Sequence, residues 1–369
     1  MNDDKILVLQ CVSNMDRAGI ETMLMNFYRN MDHSKIHFDF LCNKSKPGDY
    51  DDEIKSMGSN IFVTPGLSPF KWFKYQKYMK EFFSTHNYKI IHCQNEAMGF
   101  PALYAAKKAG IAVRISHSHN TLTRFDLKWP VKILYKYLLK TVATDYAACG
   151  EAAGKYLFGD GFIVIHNAID TKKFVHSEKL RKQLREKYNL TNKFVIGHVG
   201  RFEPQKNHEF LIDLFNEYSK INDNAVLLLV GTGSLFDHIK DKVKALRLTD
   251  KVLFTGSINN VNEIYNVMDV FVLPSLHEGL PVVGIEAQYS GLQCIFSTNV
   301  TNECNISSNS KFIDLDIKKW LEVLSECYQS KGNVKANSIV NDYYDIKKES
   351  ERIYNYYKKL YDRIDKTSL

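Results

Sequence analysis

The sequence predicts an α/β protein built from two doubly wound, Rossmann-like domains, each with a largely parallel sheet. Three observations carry that expectation. Short apolar runs alternate with helical stretches along the chain, the alternation restarts after a polar interruption near the middle, and 369 residues exceed what one ordinary core serves. Hydrophobic residues at 44% and charged residues at 25% are the balance of a chain that folds throughout.

In order along the first domain, 1–170, ILVLQCV (6–12) reads as a buried strand. NMDRAGIETMLMNFYRNM follows, with Gly19 at a turn and apolar residues at helical spacing after it; strand, glycine turn and helix make a ligand-binding opening. IHFDFLC, YKIIHCQ, AVRISHSH and DYAACG continue as strands separated by helical stretches, and FIVIHNAID (162–170) closes the domain. A polar helix, KLRKQLREKY, opens the second domain, 171–344. There FVIGHVGRF, AVLLLVGTGSL, KVLFTGSI, VFVLPS and CIFST each read as a short buried strand followed by a turn or helix. The tail, 345–369, has helical periodicity with tyrosines on one side and no strand to follow, so it is expected to pack back across the first domain. Ligands of such sheets bind at the carboxyl ends of the strands, and two facing sheets would leave a cleft with one substrate on each side.

Several function classes drop out. MNDDKILVLQC lacks the basic region and cleavage site of a signal peptide, and apolar runs such as AVLLLVG (225–231) fall well short of the roughly 20 residues of a membrane span, so the expected location is cytoplasmic. Seven scattered cysteines without a CxxC pair indicate buried reduced thiols, neither a disulfide framework nor a zinc site. The net charge of +7 is concentrated: between Ser68 and Tyr146 stand 13 lysines and arginines against four acids. No nucleic-acid-binding motif accompanies that region, and nucleic acid is not an expected partner.

The chemistry-bearing residues cluster in the second half. GRFEPQKN follows a strand and puts Arg201 and Lys206 on a loop at its carboxyl end, where two cations would neutralise a diphosphate; a solvated basic loop is the alternative. LLLVGTGSL supplies Gly231 and Gly233 between strand and helix, where backbone amides approach phosphate oxygens; Phe236 stands where a dinucleotide fingerprint needs its third glycine, which disfavours a nicotinamide enzyme. In LPSLHEGLPVVGIEAQYSG, Glu278 lies in a turn and Glu286 on the helix after it, with Pro281 suited to that helix's first position. Carboxylates repel phosphate but accept hydrogen bonds from neighbouring sugar hydroxyls.

GRFEPQKN, VGTGSL, FTGS and HEGLPVVGIEA, in this order and spacing, resemble the donor-binding domain of glycosyltransferase family 4, whose enzymes have the two-lobed GT-B fold; Glu278 and Glu286 match its E-x7-E motif. DRAGIET resembles the family's glycine-rich acceptor loop, with Ala18 in place of the first glycine of a common pair. FIVIHNAIDTKKF resembles the interdomain segment, with Ala168 replacing the glycine of Asn-Gly. The resemblance implies a nucleotide diphosphate sugar donor, UDP-linked for preference. It places Glu286 on the ribose hydroxyls, Glu278 and the adjoining Gly279-Leu280 near the sugar, and Arg201 and Lys206 on the departing diphosphate. Gly19, Gly231, Gly233 and the backbone of Gly256, Ser257 and Ile258 complete the donor contacts. It further implies retention of the anomeric configuration, a glycan acceptor that is often lipid-linked, a place in surface polysaccharide synthesis, and no cofactor or metal.

ISHSHNT puts His117 and His119 on one face of an extended segment at a strand end of the first domain. A structural role is the ordinary fate of either, and no third metal ligand accompanies them. The family's sugar-facing histidine corresponds best to His119, with His117 a competing assignment and Asn120 and Gly19 beside them on the acceptor side. Lys128, Lys132, Lys136 and Lys140 recur every four residues, and Trp72, Tyr75, Met79 and Phe82 form a stripe beside Lys71, Lys74 and Lys77. Such helices lie either on an anionic membrane surface or over the first sheet. Two rival functions share the donor site: a nucleotide-sugar 2-epimerase of the same fold, and a sugar-nucleotide binding protein without turnover.

Overall fold

The computed structural model describes residues 5–67, 71–120, 129–258, 260–330 and 343–367. The chain divides into two compact units, Met1–Ala168 with Asp345–Leu369, and Ile169–Tyr344.

The first unit runs β1 (Ile6–Val12), α1 (Gly19–Asn30), β2 (Ile36–Cys42), α2 (Asp51–Ser56), β3 (Ile61–Val63), α3 (Trp72–Thr85), β4 (Ile90–Cys93), α4 (Phe100–Lys108), β5 (Val113–Ser118), α5 (Trp129–Leu139), β6 (Asp145–Ala148), α6 (Glu151–Phe158) and β7 (Ile163–Val164). Its seven strands lie in the order β3-β2-β1-β4-β5-β6-β7, every pair parallel. Side chains alternate across the pleat, so Ile6, Val8 and Val12 of β1 enter one core while Leu9 and Cys11 enter the other. On the first of these faces β1, β4 and β5 carry Gln10, His92 and His117, all buried.

The C-terminal helix, Ile346–Thr367, belongs to this unit. Ile346, Ile353, Tyr357 and Leu360 recur at helical spacing and bury themselves in the same core as Val8 and Phe38. Near its start the Glu349 carboxylate accepts from the His166 amide at 2.7 Å and from Arg352 Nη2 at 2.6 Å. Burial works to raise the Glu349 pKa, but the Arg352 and His166 hydrogen bonds outweigh it and hold the carboxyl below its ordinary value. The helix is thereby tied to the segment that follows β7.

The second unit continues with α7 (Glu178–Lys187), β8 (Phe194–Val199), α8 (His208–Ile221), β9 (Ala225–Val230), α9 (Phe236–Ala245), β10 (Val252–Gly256), α10 (Val261–Ile264), β11 (Val270–Leu273), α11 (Val282–Tyr289), β12 (Gln293–Ser297), β13 (Ser310–Ile313) and α12 (Ile317–Gln329). Its parallel sheet has the order β10-β9-β8-β11-β12-β13. Strands β8, β9 and β11 are buried along their whole length, which is why they read as continuous apolar runs rather than alternating ones. The polar helix α7 is held by its arginines: Arg181 and Arg185 bond the Asp269 carboxylate, whose Oδ2 also accepts from the Val195 amide at 2.7 Å.

Three details differ from the sequence reading. Edge strands β3 and β13 were not expected, because the three apolar residues of β3 are too few to show a period and the four of β13 are of mixed polarity. FIVIHNAID contributes only the two residues of β7, and Pro281 is the residue before α11 rather than its first. All seven cysteines are buried thiols, with no disulfide between them. Among the described residues no helix is long and apolar enough to cross a membrane.

Candidate functional site

In the second unit, the loops after β8 and β11 meet at the carboxyl edge of the sheet. Beyond β8, Gly200 and the exposed Arg201 lead to a short turn, Pro204–Lys206, and Asn207 in the left-handed region (φ 55°) turns the chain into α8. Lys206 Nζ stands 2.5 Å from Glu278 Oε1, with only 16% and 8% of the two side chains exposed. Ser275 Oγ donates to the same oxygen at 2.8 Å and Gln205 Nε2 to Glu278 Oε2 at 3.2 Å. Gln205 also fastens the two loops, its Nε2 donating to His277 O and its backbone carbonyl accepting from the Leu276 amide. Glu278 is therefore a buried carboxylate with three donors before any ligand arrives. Arg201 remains a solvent-facing cation, while Lys206 is committed to Glu278, a pairing that sequence spacing of 72 residues does not disclose.

Gly231 and Gly233 follow β9 as expected, but the space above them is filled. Gly231 has φ 133°, and a Cβ on it would fall 2.1 Å from the Gly200 carbonyl; on Gly233 it would fall 2.6 Å from that of Phe202. The two glycines let the loop that carries Arg201 pack directly against them. Phe202 N donates to Thr232 O and Leu235 N to Phe202 O, which closes the same contact. Gly256, Ser257 and Ile258 lie at the end of β10, with Ser257 Oγ 3.4 Å from Thr232 Oγ1.

Glu286 stands on α11, past the Gly279-Leu280 turn. Its Oε2 accepts from Tyr265 Oη at 2.7 Å. Burial pushes its carboxyl up to about 7, against the pull of the tyrosine hydrogen bond. Tyr265 gave no sign in the sequence beyond being one aromatic in a strand-entry segment.

In the first unit, His117 and His119 lie on one face of the extended strand end, their rings stacked with centroids 4.1 Å apart. His119 Nε2 is 2.8 Å from Gln94 Oε1, and His117 Nδ1 is 3.1 Å from His92 Nε2. Burial lowers the pKa of His92 and His119 to about 3 and that of His117 far below its usual value, so all three rings are neutral. Asn120 donates to the Glu96 carboxylate. Gly19 is the first residue of α1, and no atom lies within 4 Å of where its Cβ would be.

A cavity of about 480 Å³ opens at this strand end, bordered by Ile20, Glu21, Asn43, Lys44, Glu96 and Asn120. Burial raises the carboxyl pKa of both Glu21 and Glu96, and Glu96 holds an unusual positive φ of 52°. The lining is a mixed set of carboxyl, amide and ammonium groups suited to hydroxyl-rich ligands. None of Glu21, Lys44 and Glu96 was singled out from sequence; a strained backbone angle leaves no trace there. Among the described residues no group of three or more His, Cys, Asp or Glu side chains is placed to hold a metal ion.

Comparison with known proteins accounts for both halves. The profile described as Glycosyltransferase Family 4 matches residues 17–173, and that described as Glycosyl transferases group 1 matches residues 180–312. The putative glycosyltransferase EpsF of Bacillus subtilis is 36% identical over 315 residues, covering 82% of each chain. The UDP-Gal:alpha-D-GlcNAc-diphosphoundecaprenol alpha-1,3-galactosyltransferase of Escherichia coli is 27% identical over 359 residues, 90% of this chain and 91% of that one. The crystal structure of Anabaena Alr3699/HepE in complex with UDP superimposes with a TM-score of 0.75 at 17% identity, over 99% of this chain and 100% of that one, and shares its fold. With profiles of the family matching both halves and a relative at this identity along most of its length, the chain is a member of glycosyltransferase family 4.

Proposed function

We propose that this glycosyltransferase moves a sugar from a UDP-sugar to a hydroxyl of a lipid-diphosphate-linked glycan during assembly of a surface polysaccharide, with retention of anomeric configuration and without a metal ion. The observation that carries the reading is the largely buried Lys206–Glu278 pair, fastened by Ser275 and Gln205 beside the exposed Arg201. The donor and acceptor classes follow the relatives, one named for UDP-Gal and a diphosphoundecaprenol-linked acceptor, another solved with UDP.

In this reading Arg201 and Lys206 take up the diphosphate charge, Glu286 accepts from the ribose hydroxyls, and Glu278 with the Gly279-Leu280 backbone lies against the sugar. The polar cavity beside Gly19 and Asn120 receives the acceptor, and His119 contacts the sugar being transferred. The acceptor oxygen forms a bond to the anomeric carbon as the bond to the β-phosphate oxygen breaks. The acceptor proton passes to a phosphate oxygen of the leaving diphosphate, so no protein base is required. Lys206, held in place by Glu278, and the exposed Arg201 supply the charge stabilisation that a metal would otherwise bring.

The test is turnover of UDP-galactose with a lipid-diphosphate-linked GlcNAc acceptor, in chelator, with the product's anomeric coupling read by NMR. An α-linked product and unchanged rate in EDTA are expected. A β-linked product, loss of activity on chelation, or an epimerised free sugar with donor alone would overturn the proposal.

Association with an anionic membrane is part of the same proposal, on a narrower surface than the lysine spacing suggested. Tyr75, Met79 and Phe82 face the core, Trp72 stacks on Phe100, and Lys136 lies 4.0 Å over the Tyr156 ring. What remains outside on α3 is Phe73, 86% exposed, among Lys71, Lys74, Lys77 and Lys80, with Tyr137 at 71% on α5; Lys128 lies outside the described residues. Sedimentation with phosphatidylglycerol vesicles is expected, reduced in Phe73→Ser and abolished by high salt. Equal recovery with neutral vesicles would remove the membrane from the account.

A further inference from the structure

Beneath His119 the first unit contains a buried chain of hydrogen-bonded polar side chains, one of which, Gln94, also lines the cavity. Its members, Gln10, His92, Gln94 and His117, all project from the face of the sheet on which the C-terminal helix packs, and Tyr357 of that helix closes the chain. The links are His119 Nε2 to Gln94 Oε1 at 2.8 Å, Gln94 Nε2 to Gln10 Oε1 at 3.0 Å, and Gln10 Nε2 to Tyr357 Oη at 2.9 Å. From there Tyr357 Oη reaches His92 Nδ1 at 2.6 Å, and His92 Nε2 reaches His117 Nδ1 at 3.1 Å.

Proton counting gives the chain a direction. Gln94 turns its amide nitrogen to Gln10, so its oxygen faces His119, which must carry its proton on Nε2. The Tyr357 hydroxyl has one proton and accepts from Gln10, so it donates to His92 Nδ1. His92 then carries its proton on Nε2 and donates to His117 Nδ1. The far end is His117 Nε2–H, buried and without a hydrogen-bond partner. Since the three rings are neutral, each has a single proton to place. Reversing one member alone would set two donors or two acceptors face to face in the core; the chain reverses as a whole or not at all. In the direction deduced from these amide orientations, His119 offers a lone pair on Nδ1; in the reverse direction it would offer an N–H.

We infer that Tyr357 is a positioning residue for His119, acting through Gln10 and Gln94 to fix which ring nitrogen carries the proton and so which kind of hydrogen bond that ring presents to the sugar. The inference rests on the reading that His119 contacts the sugar, and the readouts separate the two. In protein labelled with 15N-histidine, with the His119 signals assigned by their loss in His119→Gln, long-range 1H–15N correlations report the tautomer directly. The Nε2–H form is expected in the wild type. Tyr357→Phe keeps the ring that packs on Phe38 but cuts the chain. His119 should then become a mixture of tautomers, with kcat for release of UDP from UDP-galactose lower by roughly 10-fold and KM nearly unchanged, the scale of loss when an orienting partner is removed. Gln10→Leu, which cuts the same chain from β1, should reproduce both effects. Tyr356→Phe, on the same helix but outside the chain, should produce neither. An unaltered His119 tautomer in both cutting variants overturns the inference. A shifted tautomer with unchanged turnover instead overturns the placement of His119 on the sugar.

Discussion

Lys206→Ala is expected to lower kcat by roughly 10² to 10³-fold, the loss that follows removal of one preorganised group from a developing negative charge. It is also expected to destabilise the second unit, because Glu278 is left buried without its cation; breaking such a pair from one side costs about 3–5 kcal/mol. Ser275 and Gln205 still donate to the Glu278 carboxylate, so the low end of that range applies. The two effects separate in a second variant. Lys206→Ala combined with Glu278→Gln removes the stranded charge and should recover most of the stability, read by urea denaturation, while turnover stays low. Lys206→Arg should retain stability and part of the rate. Near-normal turnover in Lys206→Ala would mean that the pair is only a structural clasp between the loops after β8 and β11.

The second large effect is a pH dependence of donor binding. Burial holds the free-protein carboxyl of Glu286 at about 7, while the Tyr265 hydroxyl pulls it down. Only the ionised form accepts from both ribose hydroxyls, so affinity for UDP should be level above pH 7 and fall about tenfold per unit as the pH drops below it. The stability of the folded chain should move the other way. The Glu286 pKa is raised on folding, so its penalty is fully present above about 7 and fades as the pH falls toward the ordinary glutamate value of 4.5. Glu286→Gln should flatten both profiles, as titration calorimetry and thermal denaturation across that window would show. Tyr265→Phe removes the hydrogen bond that favours the ionised form and should move the break to higher pH. UDP affinity that is flat between about pH 5 and 8 in the wild type would exclude Glu286 from the ribose.

The order of buried strands was legible because parallel strands covered on both faces leave unbroken apolar runs, and the second domain begins where the polar helix α7 interrupts them. Strand β13 was not, since Ser310, Lys311, Phe312 and Ile313 give no period. Arg201, Lys206, Glu278 and Glu286 could be named from their position after strands, because strand ends are where such sheets bind ligands. What the residues do to one another was hidden. No spacing rule pairs Lys206 with Glu278 across 72 positions or Tyr265 with Glu286, and none joins Tyr357 to His92 across 265. Gly231 shows a subtler gap: a glycine was correctly expected between strand and helix, but the demand for it comes from the Gly200 carbonyl lying against it.

The most direct measurement is the structure of this protein crystallised with a non-hydrolysable UDP-sugar. The diphosphate is expected against Arg201 and Lys206, with the ammonium of Lys206 shared between phosphate and Glu278, and the ribose hydroxyls on Glu286. A nucleotide seated elsewhere, with Lys206 still bonded only to Glu278 and Glu286 only to Tyr265, would contradict that placement.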